Sequence, residues 1–285
     1  MDVKDLMQIP PWEWPSNAGV LLFKTVLDKQ ADESDRVIAA ELAGDLVAMN
    51  EDLADALLSI LRDGGEPEDL RASAAIGLGP VLERADTELL DDEDFDEPES
   101  VPITVEKFQS LRDSLHQIYS DESYPKEVRR RAMEAAVRAP QDWQSGAIRE
   151  AYASGDKDWM MTAVFASGYV RGFETEILEA LESPDPDIHL EAIRAASRQE
   201  LDAAWPHVVN LARSPSTDKP LRLAAIEAVG NIRPGEAGEI LEDLAGSEDE
   251  ELAEAAEEAL AMAQAMSGEF EDEEEEDEDD GKWVN

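Results

Sequence analysis

One short phrase recurs through this chain about every thirty residues, and it constrains the fold more than any other feature. The phrase reads apolar–Arg–x–x–Ala–apolar, and its clearest copies begin at Leu70, Val128 and Leu221. Aligned on the arginine, its positions are Arg36, Arg71, Arg129, Met160, His189, Arg222 and Ala253. Self-similarity at a fixed period of this length is typical of stacked supersecondary units, so we expect a repeat architecture.

Within each copy the apolar residues fall at positions i, i+4, i+7 and i+8, which is one stripe of an α-helix. A short break and a second apolar helix with larger side chains follow each copy. Because a single antiparallel helix pair cannot bury both of its faces, neighbouring pairs must stack on one another. We call the helix that carries the phrase the first helix and the one after it the second helix. An ordinary helical bundle is the alternative, but a bundle has no reason to repeat its phrase at constant spacing.

The sequence therefore predicts an all-α, right-handed α-solenoid of about six to seven helical hairpins. Residues 1–30 are expected to form an N-terminal capping segment, and residues 31–267 the repeats. The interval from Arg71 to Arg129 is the only one out of step, and it contains an acidic, proline-containing stretch that we interpret as an insertion at about 86–103. Residues 268–285 form a predicted disordered acidic tail ending in Lys-Trp-Val-Asn.

The N-terminal segment differs from the repeats. The stretch from Ile9 to Pro15 is too rich in proline for a helix, and a helix is expected from about Asn17 to Lys29. Terminal repeats need a cap over their exposed core, so Trp12 and Trp14 are predicted to lie on the first helical pair.

The seven phrases, with the acidic residues that precede them, resemble HEAT repeats, closest to the short repeats of phycobilisome-lyase-like HEAT proteins. The resemblance covers roughly Ala31 to Met266, and Met160, His189 and Ala253 depart from its arginine position. It implies that the hairpins are HEAT-like, that first helices line the convex side, and that second helices line the concave side where ligands usually bind. It says little about function, because scaffolds, adaptors, chaperones, lyases and some nucleic-acid enzymes share such repeats.

Charge is the second strong signal, since 69 acidic residues against 24 basic ones give a formal net charge of −45. Two explanations stay open: an acidic surface that attracts a basic partner, or adaptation to a salt-rich cytoplasm. Either disfavours direct nucleic-acid binding, which needs a clustered basic surface. In the run Arg129-Arg130-Arg131, the last two side chains are expected on a solvated face.

No catalytic, metal or cofactor site is predicted. The chain has no cysteine, and His116, His189 and His207 lie on separate repeats without metal-ligand spacing. Phosphate-binding glycine loops and nucleophile elbows are also missing from the sequence. Because there is neither an apolar run of eighteen residues nor a charged-then-apolar leader, we expect no membrane contact and a cytoplasmic location.

Candidate partner-binding residues are the aromatic and arginine side chains of the middle second helices, because such residues dominate interface hot spots. They are Phe108, Arg112, His116, Trp143, Arg149 and Tyr152, with Trp283 in the tail as a further candidate. The arginines of the phrase, Arg36, Arg71, Arg129 and Arg222, are predicted to be structural, each making a hydrogen bond or ion pair to a neighbouring turn.

The predicted function is a non-catalytic protein–protein interaction module, such as an adaptor, assembly factor or scaffold. Its partner is expected to have a basic or mixed surface and to contact the concave face, with the C-terminal tail as a second candidate contact. Two alternatives remain: a lyase-like or cofactor-attachment role implied by the resemblance, and an acidic nucleic-acid mimic. The sequence leaves the oligomeric state open.

Overall fold

The computed structural model describes residues 2–89 and 101–268, and all regular secondary structure in that part of the chain is helical. The α-helices are α1 (Val3–Leu6), α2 (Ala18–Leu27), α3 (Glu33–Leu42), α4 (Glu51–Arg62), α5 (Glu68–Gly77), α6 (Gly79–Leu89), α7 (Val105–Ser120), α8 (Lys126–Ala136), α9 (Gln144–Ala153), α10 (Lys157–Ser167), α11 (Glu174–Leu181), α12 (Pro186–Arg198), α13 (Trp205–Arg213), α14 (Lys219–Ile232), α15 (Pro234–Ala245) and α16 (Glu250–Ser267). All seven phrases lie on helices, so the all-α prediction is confirmed. Among the described helices, none is both long and apolar enough to cross a membrane.

The chain divides into two compact units, Met1–Ile148 and Arg149–Asn285. In the first unit, α3, α5 and α8 pack side by side, and each also packs against the second helix before it: α2, α4 and α7 respectively. In the second unit, α10, α12, α14 and α16 form the corresponding row, and α11, α13 and α15 pack against α12, α14 and α16. Each unit is therefore a stack of antiparallel hairpins, as the repeat phrase predicts.

Small apolar residues are buried on the first helices and larger ones on the second helices. Alanines such as Ala40 and Ala74 are fully buried where first helices meet, and leucines such as Leu57 and Leu61 fill the space beneath them. Burying a leucine side chain contributes about 1.5–3 kcal/mol. Gly77 of α5 lies so close to the carbonyl of Ala40 that a β-carbon there would collide with it. The small-residue stripe thus sets the spacing of the first helices.

The arginines of the phrase share one structural contact. Each donates its Nε hydrogen to the carbonyl oxygen ten residues earlier, which belongs to the next-to-last residue of the preceding second helix. The pairs are Arg36–Val26 at 3.0 Å, Arg71–Leu61 at 3.1 Å, Arg129–Tyr119 at 2.8 Å and Arg222–Ala212 at 2.8 Å. Carbonyls in the last turn of a helix have no intrahelical partner and carry the negative end of the helix dipole. These hydrogen bonds tie each first helix to the end of the second helix before it.

Aspartates begin several first helices and connect successive repeats. Asp185 accepts hydrogen bonds from the backbone of Asp187 and Ile188 at the start of α12, which is N-capping. Its carboxylate also lies 2.7 Å from the ammonium of Lys157, at the start of α10. Such exposed ion pairs are screened by solvent and add little to stability, but they link the starts of successive first helices.

The long interval between Arg71 and Arg129 holds a helix that the sequence did not predict. It contains α6, which follows α5 almost without a break and packs against α7 and α8. Residues 86–89 of the predicted insertion at about 86–103 are therefore helical, and residues 90–100 lie outside the described part of the chain. At the C-terminal end, only Gly268 of the predicted tail is described, so Trp283 also lies outside it.

The N-terminal tryptophans differ from each other. Trp14 is 9% exposed, and its indole Nε1 donates to the carbonyl oxygens of Leu6 and Ile9 at 3.1 and 3.2 Å. Trp12, in contrast, is 80% exposed. Only Trp14 lies in the position expected of a cap residue. The helix predicted after this segment is present as α2.

Candidate functional site

Helix α7 brings the first group of candidate residues together on one face. Its N-cap residue is Thr104, whose hydroxyl accepts a hydrogen bond from the backbone N–H of Lys107 at 3.3 Å. Phe108, one turn into the helix, is only 1% exposed and belongs to the core. The guanidinium carbon of Arg112 lies 5.1 Å from the centre of the Phe108 ring. Phe108 thus supports Arg112 from below and is not itself available to a partner.

His116 and Trp143 form the centre of the candidate surface. Their rings are stacked, with centroids 4.4 Å apart and planes 8° from parallel. The ring of Tyr119, which is on α7, also stacks on Trp143, with the two ring centroids 5.1 Å apart. Arg112 donates from Nη2 to the carbonyl of Pro140 at 3.3 Å. We call Arg112, His116, Tyr119 and Trp143 the α7 cluster. Its four side chains are all half-buried.

A buried glutamine holds the loop that carries Trp143. Gln144, the first residue of α9, is fully buried and donates to the carbonyl of Ala136 at 2.8 Å. Its side-chain oxygen accepts from the backbone N–H of Gln141 at 2.9 Å. Trp143, which the sequence placed within a second helix, lies just before α9 and is fixed by this loop. The contact between α7 and Trp143 is a tertiary one that helical periodicity does not reveal.

Three hydrogen-bond donors around the α7 cluster are buried without a partner. They are Nε of Arg112, Nε2 of Gln141 and Nε1 of Trp143. A buried donor left without an acceptor costs about 1–3 kcal/mol, so unsatisfied donors are uncommon in folded proteins. The candidate surface therefore offers unused hydrogen-bonding capacity beside its aromatic rings.

Arg149 and Tyr152 belong to the second unit and make internal contacts there. The guanidinium carbon of Arg149 lies 5.2 Å from the centre of the Phe173 ring. The hydroxyl of Tyr152 lies 3.2 Å from the Glu176 carbonyl oxygen and 3.2 Å from the Glu179 carboxylate. Burial, reinforced by the Glu179 carboxylate, raises the pKa of Tyr152 to about 12. Tyr152 thus joins α9 to α11, and this internal contact occupies its hydroxyl.

Two of the three arginines in the α8 run pair with glutamates of the same helix. Arg130 is 5% exposed, with Nη1 2.5 Å from the carboxylate of Glu127. Arg131 contacts both Glu127 and Glu134 at 2.7 Å. The predicted solvated face is therefore wrong for Arg130, because a glutamate one turn away on either side pairs with the run and lets it pack. A surface formed by these arginines is not a free basic patch.

Two histidines that are distant in sequence meet in the second unit. Nε2 of His189, on α12, lies 2.9 Å from Nε2 of His207, on α13, and Nδ1 of His207 lies 3.5 Å from the Glu182 carboxylate. Burial, with a smaller contribution from His207, lowers the pKa of His189. The described residues contain no group of three or more metal-ligating side chains placed to hold a metal ion. Here the sequence missed a contact, because eighteen residues separate the two histidines.

A groove of about 520 Å³ lies along the first helices of the second unit, where the sequence did not place a site. It is formed by α12, α14 and α16, with Leu190, Leu223 and Met262 as apolar walls and Arg194 and Glu258 as charged ones. Leu190 and Leu223 directly follow His189 and Arg222, the arginine positions of their repeats, and both are partly exposed. An apolar residue at this position of the phrase is the sequence feature that could have indicated the groove.

Residues 174–261 match the model of the family described as HEAT repeats. No match was found among curated proteins.

The solved structures to which this chain is similar are distant in sequence. Human deoxyhypusine hydroxylase in complex with glycerol is 16% identical, with a TM-score of 0.39 over 88% of this chain and 97% of that one. An engineered protein is 18% identical, with a TM-score of 0.33 over 87% and 97% of the two chains. The YibA protein of E. coli is 15% identical, with a TM-score of 0.40 over 88% and 84%. Likenesses this distant carry no information about function.

The family match runs from the start of α11 into α16, where the phrase recurs at His189, Arg222 and Ala253. The phycobilisome-lyase-like subtype has no support from it. The predicted resemblance to HEAT repeats is confirmed over residues 174–261, the part of the chain that the family model matches.

Proposed function

We propose that this chain is a non-catalytic protein-interaction module, an adaptor, assembly factor or scaffold, and that it contacts its partner through the α7 cluster. HEAT repeats in general mediate protein interactions, which supports the class of function. The α7 cluster supports the location, because it joins an arginine to stacked aromatic rings at a partly exposed surface. Arginine, tyrosine and tryptophan are the residues most enriched among interface hot spots.

The cluster is also held in place before any partner binds. Phe108 lies beneath Arg112, His116 stacks on Trp143, and Gln144 fixes the loop that carries Trp143. Each immobilised, flexible side chain at an interface costs about 0.5–1.5 kcal/mol on binding. The stacked rings of His116 and Trp143 are already ordered and avoid much of that loss, so they are better suited to binding than flexible rings of the same composition.

The charge of the chain selects among partners. A net charge of −45 attracts proteins with basic surfaces and repels acidic ones. Such complementarity raises association rates and excludes wrong partners more than it strengthens the final complex. We therefore propose a partner whose surface is basic or mixed in charge.

Capture of proteins from native lysate by the tagged full-length chain tests this proposal. The double variant Arg112→Gln with His116→Asn should retain at least about tenfold less of the partner protein than the wild type does, because it lacks two hot-spot contacts. Arg171→Gln is the matched control, because Arg171 is an exposed arginine in the loop before α11. The captured proteins are quantified by mass spectrometry, and circular dichroism checks that each variant is folded.

Two results would contradict the proposal. Equal retention by the wild type, the double variant and the control would remove the α7 cluster from recognition. A chain ending at Ser267 that loses the retained protein, while the double variant keeps it, would move recognition to the tail and Trp283.

A further inference from the structure

We propose that the α7 cluster, with Gln141, is a receptor for a single carboxylate, presented by an acidic side chain that lies within an otherwise basic segment of the partner. This inference rests on the proposed function and specifies the chemistry of the partner at the same surface. It is carried by three buried, unpaired donors and by an arginine without an acidic partner.

The three unpaired donors belong to one place in the fold. Gln141 and Trp143 are two residues apart in the loop before α9, and Arg112 reaches the same loop through its bond to Pro140. All three unpaired atoms are nitrogens that can only donate. An acceptor with more than one lone pair is therefore the complementary group. Arg112 and Gln141 are only partly buried as whole residues, so rotation of their side chains can turn the donors toward an incoming acceptor.

Arg112 has no carboxylate among the described residues within ion-pair distance, although the chain has 69 acidic and only 24 basic residues. Arg138 in the same unit shows the usual situation, with Nη1 2.6 Å from the Glu83 carboxylate. The guanidinium of Arg112 instead lies over the Phe108 ring and gives one hydrogen bond to Pro140. A guanidinium carries five N–H donors, so most of its capacity is left over.

The charge around the cluster favours a carboxylate over a phosphate. Arg112 is the one permanent cation among its members, since the guanidinium of Arg129, 5.9 Å from the Tyr119 ring, is bound to the carbonyl of that residue; the remaining donors are neutral. Asp113 and Asp142 are exposed beside it and add negative charge. A singly charged, planar carboxylate matches one guanidinium with two parallel hydrogen bonds. A phosphate ester with a charge near −2 would meet more repulsion than this single cation offsets.

The same reasoning requires basic residues on either side of the partner's carboxylate. A purely acidic segment would be repelled by the net charge of this chain before reaching the cluster. Flanking lysines or arginines reverse that repulsion, and the carboxylate then supplies the specific contact.

Titration of the ¹⁵N-labelled full-length chain with two peptides tests the proposal. The probes are acetyl-Lys-Lys-Glu-Lys-Lys-amide and the matched acetyl-Lys-Lys-Gln-Lys-Lys-amide, which has the same shape but no carboxylate. The readout is the indole N–H resonance of Trp143, identified by its loss in Trp143→Phe. The glutamate peptide should move this resonance saturably, with a Kd at least about tenfold lower than the glutamine peptide, as expected for a charge-assisted pair. Arg112→Gln should abolish the difference, and Arg171→Gln should preserve it.

Several outcomes would overturn the proposal. Equal shifts with both peptides would mean that lysine charge alone drives binding. Inorganic phosphate that moves the resonance at lower concentration than the glutamate peptide would replace the carboxylate with a phosphate. If Arg112→Gln does not fold, the comparison of the two peptides on the wild type still decides. Absence of any shift, together with loss of the captured protein in the double variant, would reject the carboxylate and leave the interaction function standing.

Discussion

The arginine of the repeat phrase acts as a cap for the helix that precedes it. In four repeats its Nε lies 2.8–3.1 Å from a carbonyl oxygen in the last turn of that helix. At Arg36 the guanidinium also lies 2.7 Å from the Glu66 carboxylate, and both side chains are 6% exposed. This contact holds the pKa of Glu66 below its usual range. Lysine cannot reproduce the arrangement, because it lacks the planar fork that serves a carbonyl and a second group at once.

Replacement of Arg71 by alanine should destabilise the protein by about 1.5–3 kcal/mol, the range for a hydrogen bond to a charged group. Arg71 is 6% exposed, and its loss leaves the carbonyl of Leu61 without that donor in a buried position. Urea unfolding followed by circular dichroism measures the change. Arg213→Ala is the control, since Arg213 is exposed and should change stability by less than about 0.5 kcal/mol. Equal effects of the two substitutions would show that the carbonyl contact is unimportant.

The paired histidines of the second unit should make stability depend on pH near neutrality. His189 has a lowered pKa in the folded protein, so the unfolded chain binds its proton more readily. Its contribution is present above the ordinary histidine pKa and is lost as the pH falls below that value. The groups facing it are His207, which lowers the pKa of His189 further, and Glu182, which opposes the shift. The Tm should be measured from pH 7.5 to 5.5, a range of about one unit either side of that pKa. It should fall more steeply with decreasing pH for the wild type than for His189→Asn. Parallel curves would contradict this assignment.

At the scale of helices, local periodicity predicted some elements well and could not reach others. The alanine stripe of α5 and the apolar stripe of α14 are visible in the sequence because one helix face repeats every few residues. Helix α6 was missed because no helix was assigned between the α5 phrase and the predicted insertion at about 86–103, although Val81, Leu82 and Ala85 carry a helical stripe. The meeting of His116 with Trp143 depends on a loop held by Gln144, and no spacing rule encodes it. Candidate residues were thus predictable by type, whereas the donors they leave unpaired were not.

The close approach of first helices should make Gly230 hard to replace. A β-carbon at Gly230 of α14 would lie 2.9 Å from the carbonyl oxygen of Ala259 on α16. Gly230→Ala should therefore cost about 1–3 kcal/mol through overpacking, despite the better helix propensity of alanine. Gly238 of α15 has nothing near its β-carbon position, so Gly238→Ala should be stabilising by up to about 1 kcal/mol. Urea unfolding of both variants measures the contrast. If both substitutions stabilise, α14 and α16 are not in tight contact.

Across the whole molecule, carboxylates outnumber the cations that could pair with them. Lys219 contacts both Asp249 at 2.9 Å and Glu251 at 2.5 Å, and Lys157 likewise lies between Asp185 and Asp187. Because the chain has 69 acidic and only 24 basic residues, one basic side chain is often shared by two acidic ones. Even complete pairing would leave 69 − 24 = 45 carboxylates without a cation. Repulsion among them disfavours the compact state.

The Tm should consequently rise when salt is added. Screening weakens attraction in exposed ion pairs and repulsion among surplus carboxylates alike, but the repulsive pairs are more numerous here. Most of the rise should occur by ~0.2 M NaCl, because the screening length has already fallen to about 10 Å at about 0.1 M. At higher salt the Tm should level off. KCl should act equally, because screening depends on ionic strength and not on the identity of the ion. A Tm that stays constant or falls over this range would mean that the ion pairs between successive repeats outweigh the repulsion. A rise that begins only at molar salt would indicate exclusion of salt from the protein surface instead of screening.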